Sequence, residues 1–171
     1  MSTTTLSRAA IAFCACLLLS TRPAASQSNP KFTEGLVRES EVIVAGRVGD
    51  VVSEWTPKRE RIQTRVTLNV DEALKGSVAG NSITILVPGG EVGGVGELYT
   101  HTPSFRNNEE VVVFARKDAR GHYRVAGGKD GKFIVEKDAR TGAKTIQHVG
   151  SFDAFKRSIT KTVQSPQGGK Q

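Results

Sequence analysis

The clearest pattern in the chain is a strict alternation of two kinds of side chain from Arg61 to Val70. One set is apolar or β-branched and consists of Ile62, Thr64, Val66, Leu68 and Val70. The intervening residues are polar, and every second side chain of a β-strand points to the same face of its sheet. The segment therefore predicts an antiparallel strand with one buried face and one face in water.

Two other segments are apolar at successive positions instead of alternate ones. They are 42–45 (Val-Ile-Val-Ala) and 111–114 (Val-Val-Val-Phe). A strand that is apolar on both faces must be covered on both sides. We expect both segments in the middle of the sheet, with Gly46 marking a bulge or tight bend in the first of them.

A third apolar strand, at 83–87, is broken by Pro88 and by a glycine-rich loop at 89–96. Proline removes a ladder donor, and glycine adopts backbone angles that are closed to other residues. We predict that the sheet turns a corner here and closes on itself as a barrel. A short further strand is expected at 97–102, carrying Leu98 and Tyr99.

Helical spacing occurs near both ends of the chain. Asn29 and Pro30 form a helix start, and Ser151 is a natural N-cap ahead of Phe152, Phe155, Ile159 and Val163. We expect the second helix to lie across an open side or end of the barrel. The predicted fold class is all-β with minor α: a closed or partly open antiparallel barrel with a short N-terminal helix and an amphipathic C-terminal helix.

Residues 1–26 have the layout of a secretory signal peptide. A basic residue precedes an apolar run that is too short to span a bilayer as a helix, and small residues follow it. Cys14 and Cys16 both lie in this segment, so the expected mature chain has no thiol. We predict export to the periplasm or beyond, no membrane anchor after cleavage, one domain at 27–164 and a disordered tail at 165–171.

Charge excludes little. The chain has 24 Lys and Arg against 17 Asp and Glu, a formal net charge of +7. The leader contains Arg8 and Arg22 and no acidic residue, so the mature chain would keep a net charge of +5. The densest basic patch, at 58–61, is interrupted by Glu60 and is typical of a solvated hairpin end.

No catalytic constellation is visible in the sequence. The glycine loop lacks the lysine of a phosphate-binding loop, and no serine stands in a Gly-x-Ser-x-Gly motif. The three histidines, His101, His122 and His148, have no metal-ligand spacing. Glu109 and Glu110 are adjacent on a predicted strand and point to opposite faces. We therefore expect no catalytic residue, no metal site and no cofactor.

Two fragments carry a family resemblance. The segment 42–48 (Val-Ile-Val-Ala-Gly-Arg-Val), with a strand ending at 70–76 (Val-Asp-Glu-Ala-Leu-Lys-Gly), resembles the opening of netrin modules and tissue inhibitors of metalloproteinases. The longer pattern across 36–136 is similar to a set of small exported bacterial proteins of unknown function. The resemblance implies a five-stranded OB-type barrel. The inhibitors act through an N-terminal cysteine, which the expected mature chain lacks, so no functional residue is carried over.

The leading functional hypothesis is a secreted, non-catalytic module that binds another macromolecule. The expected partner is an extracellular protein, with a protease as one candidate, and the expected surface combines the glycine loop with the hairpin end around Trp55. The candidate binding residues are Trp55, Gly90, Glu91, Gly93, Gly94, Gly96 and Tyr99.

Two alternatives remain open on the sequence. One is an enzyme-like site for a small ligand or metal at the barrel mouth, around Tyr99, His101 and His122. The other is oligosaccharide or nucleic-acid binding, because OB-type barrels stack bases on aromatic side chains over a basic groove. The residues concerned would be Trp55, Tyr99, Tyr123, Arg61, Arg65 and Arg124. Export makes nucleic acid a poor partner, and none is expected.

Overall fold

A computed structural model of the protein describes residues 30–165, with side chains from Glu34 onward. The predicted signal peptide at 1–26, both cysteines, the Asn29 cap and residues 166–171 of the predicted tail lie outside the described residues. Within this range the elements are α1 (Pro30–Glu39), β1 (Val42–Trp55), β2 (Ile62–Lys75), β3 (Ser82–Pro88), β4 (Gly90–Val92), β5 (Val95–Glu97), β6 (Glu110–Lys117), β7 (Tyr123–Val125), a 3-10 turn (Gly128–Gly131), β8 (Lys132–Lys137), β9 (Lys144–Ile146), β10 (Gly150–Ser151) and α2 (Phe152–Gln164).

Five of the strands close into a barrel, as the sequence predicts. Their order around the barrel is β1-β2-β3-β7-β6, and β6 returns to pair with β1. All of these pairings are antiparallel except that of β3 with β7, which is parallel and joins Ile85 to Tyr123. The predicted all-β class with a barrel and two helices is confirmed, and the expectation of purely antiparallel pairing is wrong at this one seam.

The barrel is filled by its own core, and a second core lies outside it. The barrel core consists of buried residues Val42, Val44, Val48, Val66, Leu68, Ile83, Ile85, Val87, Val111, Val113 and Ala115. The outer core consists of Leu36, Val37, Ile43, Ala45, Val112, Phe114, Ala126, Val135, Ile146, Phe152, Phe155 and Ile159. Successive residues of β1 and β6 therefore enter different cores, which explains why both strands are apolar on both faces.

The predicted bend in β1 is a β-bulge. The pairing register of β1 with β2 shifts between Ala45 and Gly46, and again between Val48 and Val51. A Cβ at Gly46 would overlap the backbone oxygen of Asn69, so the close approach of the two strands requires glycine. Bulges increase the local twist, which lets these 14-residue strands wrap around the barrel.

The C-terminal helix begins where the sequence predicts, because the Ser151 hydroxyl accepts the Ala154 backbone N–H at 3.5 Å. Its apolar face packs on the outer core with α1. Of the two expected positions, an open side or an end of the barrel, the helix takes a side, where it covers the outer faces of β1 and β6. Among residues 30–165, no helix combines the length and apolar character needed to cross a membrane.

The glycine-rich segment differs most from its prediction. It forms a tight hairpin of β4 and β5, and residues 98–102 form no strand. Gly93 and Gly94, with φ of 60° and 80°, make the two-residue turn. Such turns need positive φ at both positions, so the glycine pair places a strand immediately after itself, at 95–97.

Candidate functional site

The hairpin of β4 and β5, which we call the flap, is attached to the barrel through its first two glycines. The Gly89 N–H donates to the Ile62 carbonyl at 2.9 Å, and the Thr64 hydroxyl donates to the Gly89 carbonyl at 2.7 Å. The Ser53 and Thr64 hydroxyls are 3.0 Å apart. A Cβ at Gly90 would overlap both hydroxyls, so glycine is required where the flap leaves the barrel.

Beneath the flap lies an open cleft of about 590 Å³, the main cleft. Its floor is the end of the barrel core, at Val51, Val66 and Val87. The flap and the segment at 98–99 form one wall, and residues 102–105 form the far wall. The cleft is therefore the mouth of the barrel, partly covered by the glycine hairpin.

Exposed apolar side chains concentrate beside this cleft. Among the described residues, five large hydrophobic side chains are exposed, and three of them lie within five positions of one another. Leu98 is 95% exposed, Val95 49% and Tyr99 38%. The other two are Val52 and Val163. Scattered exposed apolar residues are ordinary, whereas several in one short segment beside a cleft are typical of an interaction site.

The charge of the main cleft is opposite to that of the chain. Glu91 and Glu97 line it, and none of its lining residues is Lys, Arg or His. Glu97 accepts a hydrogen bond from the Tyr99 hydroxyl at 3.1 Å. Within residues 34–165 neither glutamate forms an ion pair. A protein with a net charge of +7 thus presents an acidic, partly apolar mouth.

The far wall is held in place by a mostly buried ion pair. The Lys132 ammonium donates to the Glu109 carboxylate and to the Ser104 carbonyl, both at 2.6 Å, and lies 4.8 Å from the Phe105 ring centroid. The side chains of Lys132 and Glu109 are only 8% and 12% exposed. One ammonium therefore fixes the segment that carries the far wall.

A second cleft of about 390 Å³ shares Tyr99 and residues 102 and 103 of the far wall with the main cleft and adds His101 and Arg124. Arg124 is already paired, because its Nε donates to Asp118 at 3.2 Å. Burial alone would raise the pKa of Asp118, but hydrogen bonds from the His122 and Arg120 backbone and from Arg124 hold the pKa below its ordinary value. Asp118 stays ionised and neutralises Arg124.

The structure brings together four of the seven predicted binding residues. Gly90, Glu91, Gly96 and Tyr99 line the main cleft. Gly93 and Gly94 form the tip of the flap and line neither of the two clefts.

Trp55 does not belong to this surface. It ends β1 opposite the buried Ile62 and is itself half-buried. From the sequence, Trp55 is expected to be exposed because a charged hairpin follows it. In the structure, β1 pairs with β2 as far as Trp55, which is the last residue of β1. Leu98 and Phe105, which border the cleft, were not among the predicted binding residues.

The residues of the alternative hypotheses come together only in part. Tyr99, His101 and Arg124 line the second cleft, whereas His122 lies in the turn between β6 and β7 and lines neither of the two clefts. Tyr123 packs against the barrel core, and Arg65 pairs with Glu54 at 3.1 Å. Within residues 30–165, no three His, Cys, Asp or Glu side chains come close enough to hold a metal ion.

Thr64→Val is expected to loosen the flap and leave the barrel intact. It removes the hydroxyl that donates to Gly89, a hydrogen bond worth about 0.5 to 1.5 kcal/mol. Amide hydrogen exchange of residues 89–97 should become about fivefold faster. Thr84→Val, on the exposed face of β3, is the control and should change nothing. Equal exchange in both variants would show that the hydroxyl does not hold the flap.

Comparison with models of known protein families and with curated proteins finds no match to the chain.

Proposed function

We propose that the protein is an exported, non-catalytic binding module that holds another macromolecule on the surface formed by the flap and the main cleft. The observation that carries this proposal is the patch of Val95, Leu98 and Tyr99 beside the cleft. A side chain that is 95% exposed and apolar gains from being covered. Aromatic anchors beside a pocket contribute most of the energy at protein interfaces.

The strand order supports an OB-type interpretation of the barrel. In chain order the barrel strands are β1, β2, β3, β6 and β7, and the closed order has the last two exchanged. OB-type barrels bind ligands on the face of their second and third strands and on the adjoining loops. The main cleft lies on β1, β2 and β3 beneath a loop, so its position agrees with this interpretation.

The partner is a protein and not a nucleic acid. A cleft with two carboxylates and no cation repels a phosphate backbone, which needs Lys and Arg for its affinity. The resemblance to netrin modules makes an extracellular protease one candidate. The cysteine mechanism of the metalloproteinase inhibitors is not part of the proposal, because both cysteines precede residue 27.

The test is affinity capture from the exported proteins of the source organism, with matched surface variants. Leu98→Ser combined with Tyr99→Ala should lower the yield of the captured protein at least about tenfold, because burying each apolar side chain is worth about 1.5 to 3 kcal/mol. Val163→Ser removes an exposed apolar side chain from α2, away from the cleft, and should capture as the wild type does.

Circular dichroism establishes that both variants are folded. Capture that survives the Leu98 and Tyr99 changes, or that is lost with Val163→Ser, contradicts the proposal, because the contact surface would then lie elsewhere on the molecule.

A further inference from the structure

β5 is an edge strand. It pairs with β4 on one side, and among the described residues no strand pairs with its other side. The turn at Gly93 and Gly94 makes Val92 and Val95 a hydrogen-bonded pair, and such pairs alternate along an antiparallel ladder. Gly96, one residue further, therefore directs its N–H and C=O away from β4. These are the groups to which an added strand binds.

Gly96 has no structural reason to be glycine. Its φ is not in the positive range, and the position that a Cβ would take has only the Gly90 carbonyl nearby, at 3.9 Å. Gly46 and Gly90, in contrast, are required by close neighbours. Glycine inside a strand weakens it and often marks a place where another backbone approaches closely. Gly96 lines the main cleft, so a backbone that approaches it would lie in this cleft.

The charge and polarity around this edge restrict what can bind. Glu91 and Glu97 flank Gly96 without a cation of their own, and Leu98 and Phe105 supply apolar surface on either side of the cleft. A bound segment with apolar side chains and at least one lysine or arginine would be complementary to both features.

We infer that the partner presents an extended, apolar segment containing lysine or arginine, and that this segment adds to the free edge of β5 as a strand, with its backbone bonded to Gly96. The inference rests on the proposed function and specifies how the partner is held. In strand addition the backbone hydrogen bonds give affinity and the side-chain pockets give specificity.

The test uses the 15N-labelled full chain and a blocked hexapeptide, Val-Thr-Val-Lys-Val-Thr, followed by NMR titration. Binding should shift the Gly96 amide resonance and slow its hydrogen exchange. In a set of peptides that each carry one methylated backbone nitrogen, one peptide should bind about fivefold to tenfold more weakly, because its methyl group replaces the N–H that donates to the Gly96 carbonyl. Peptides methylated at the two neighbouring nitrogens should bind as the unmodified peptide does.

The second part of the test changes the charge of the peptide and of the cleft. Replacing the peptide lysine by glutamine should weaken binding about twofold to fivefold, the size expected for an exposed ion pair. With Glu91→Gln and Glu97→Gln combined in the protein, the lysine and glutamine peptides should bind equally. A glutamate peptide that binds as well as the lysine peptide to the unchanged protein contradicts the charge complementarity.

The outcomes separate this inference from the proposed function. If capture depends on Leu98 and Tyr99 but no single methylated position weakens peptide binding, or no peptide binds, then strand addition is wrong and the proposed binding surface is unaffected. Protection of Gly96 that increases with protein concentration, without peptide, would assign the edge to a second copy of the chain and also overturn the inference. Sedimentation equilibrium measures directly whether two copies of the chain associate.

Discussion

Phe114→Ala is expected to lower the free energy of unfolding by about 3 to 5 kcal/mol. The side chain belongs to a barrel strand but points into the outer core, where its ring centroid lies 5.4 Å from that of Phe133 and 6.4 Å from that of Phe155. It is fully buried. Its removal leaves a cavity between the barrel and α2 that the rigid strands cannot collapse to fill. Urea unfolding of the full chain measures the loss.

Leu98→Ala is the surface control, because it removes apolar atoms from a side chain that is 95% exposed. It should change the free energy of unfolding by no more than about 0.5 kcal/mol. A loss below about 1 kcal/mol for Phe114→Ala would contradict the packing of α2 on the barrel and with it the existence of two cores sharing β1 and β6.

Lys132→Met should also cost about 3 to 5 kcal/mol, because it leaves the mostly buried Glu109 carboxylate without its cation. The same change frees the Ser104 carbonyl and the Phe105 ring, so the far wall of the main cleft should become mobile. Urea unfolding gives the stability, and hydrogen exchange of residues 103–109 reports on the wall. Combining Lys132→Met with Glu109→Gln should recover most of the loss, since the unpaired charge is then absent.

Lys144→Met provides the comparison for a more exposed cation. Lys144 is 39% exposed and pairs with Glu110, which Arg47 also approaches at 3.5 Å. Its loss should cost about 1 kcal/mol or less. If Lys132→Met and Lys144→Met destabilise equally, burial of the Lys132 pair does not matter and the far wall is not fixed in the way described.

Local patterns predict the barrel strands because their causes are local. The alternation in β2 and the two-faced apolar runs in β1 and β6 follow from which side of each strand is covered. Neither pattern shows what covers the second face. That depends on α1, α2 and β8 packing together, which brings residues as distant in sequence as Ile43 and Ile159 into one core. The sequence therefore predicts the barrel but does not decide whether the helix lies on a side or at an end of it.

The candidate site is also predictable only where its causes are local in the sequence. The glycines mark the loop, but the two-residue turn shifts the strand from 97–102 to 95–97 and leaves Leu98 beyond it, exposed instead of paired. The pair of Lys132 with Glu109 spans 23 residues and has no local signature. The sequence does contain a signal for these exposed apolar residues. Val95 and Leu98 stand among glycines and polar residues, so the segment has no continuous apolar face that could be buried.

We propose that a partner binds the surface formed by the flap and the main cleft. Hydrogen exchange of the full chain, free and in complex with the captured protein, tests it most directly. We expect slower exchange upon binding at residues 89–105, with α2 and the turn at 118–122 unchanged. Slower exchange confined to α2 or to that turn, with the flap as open as before, would contradict it.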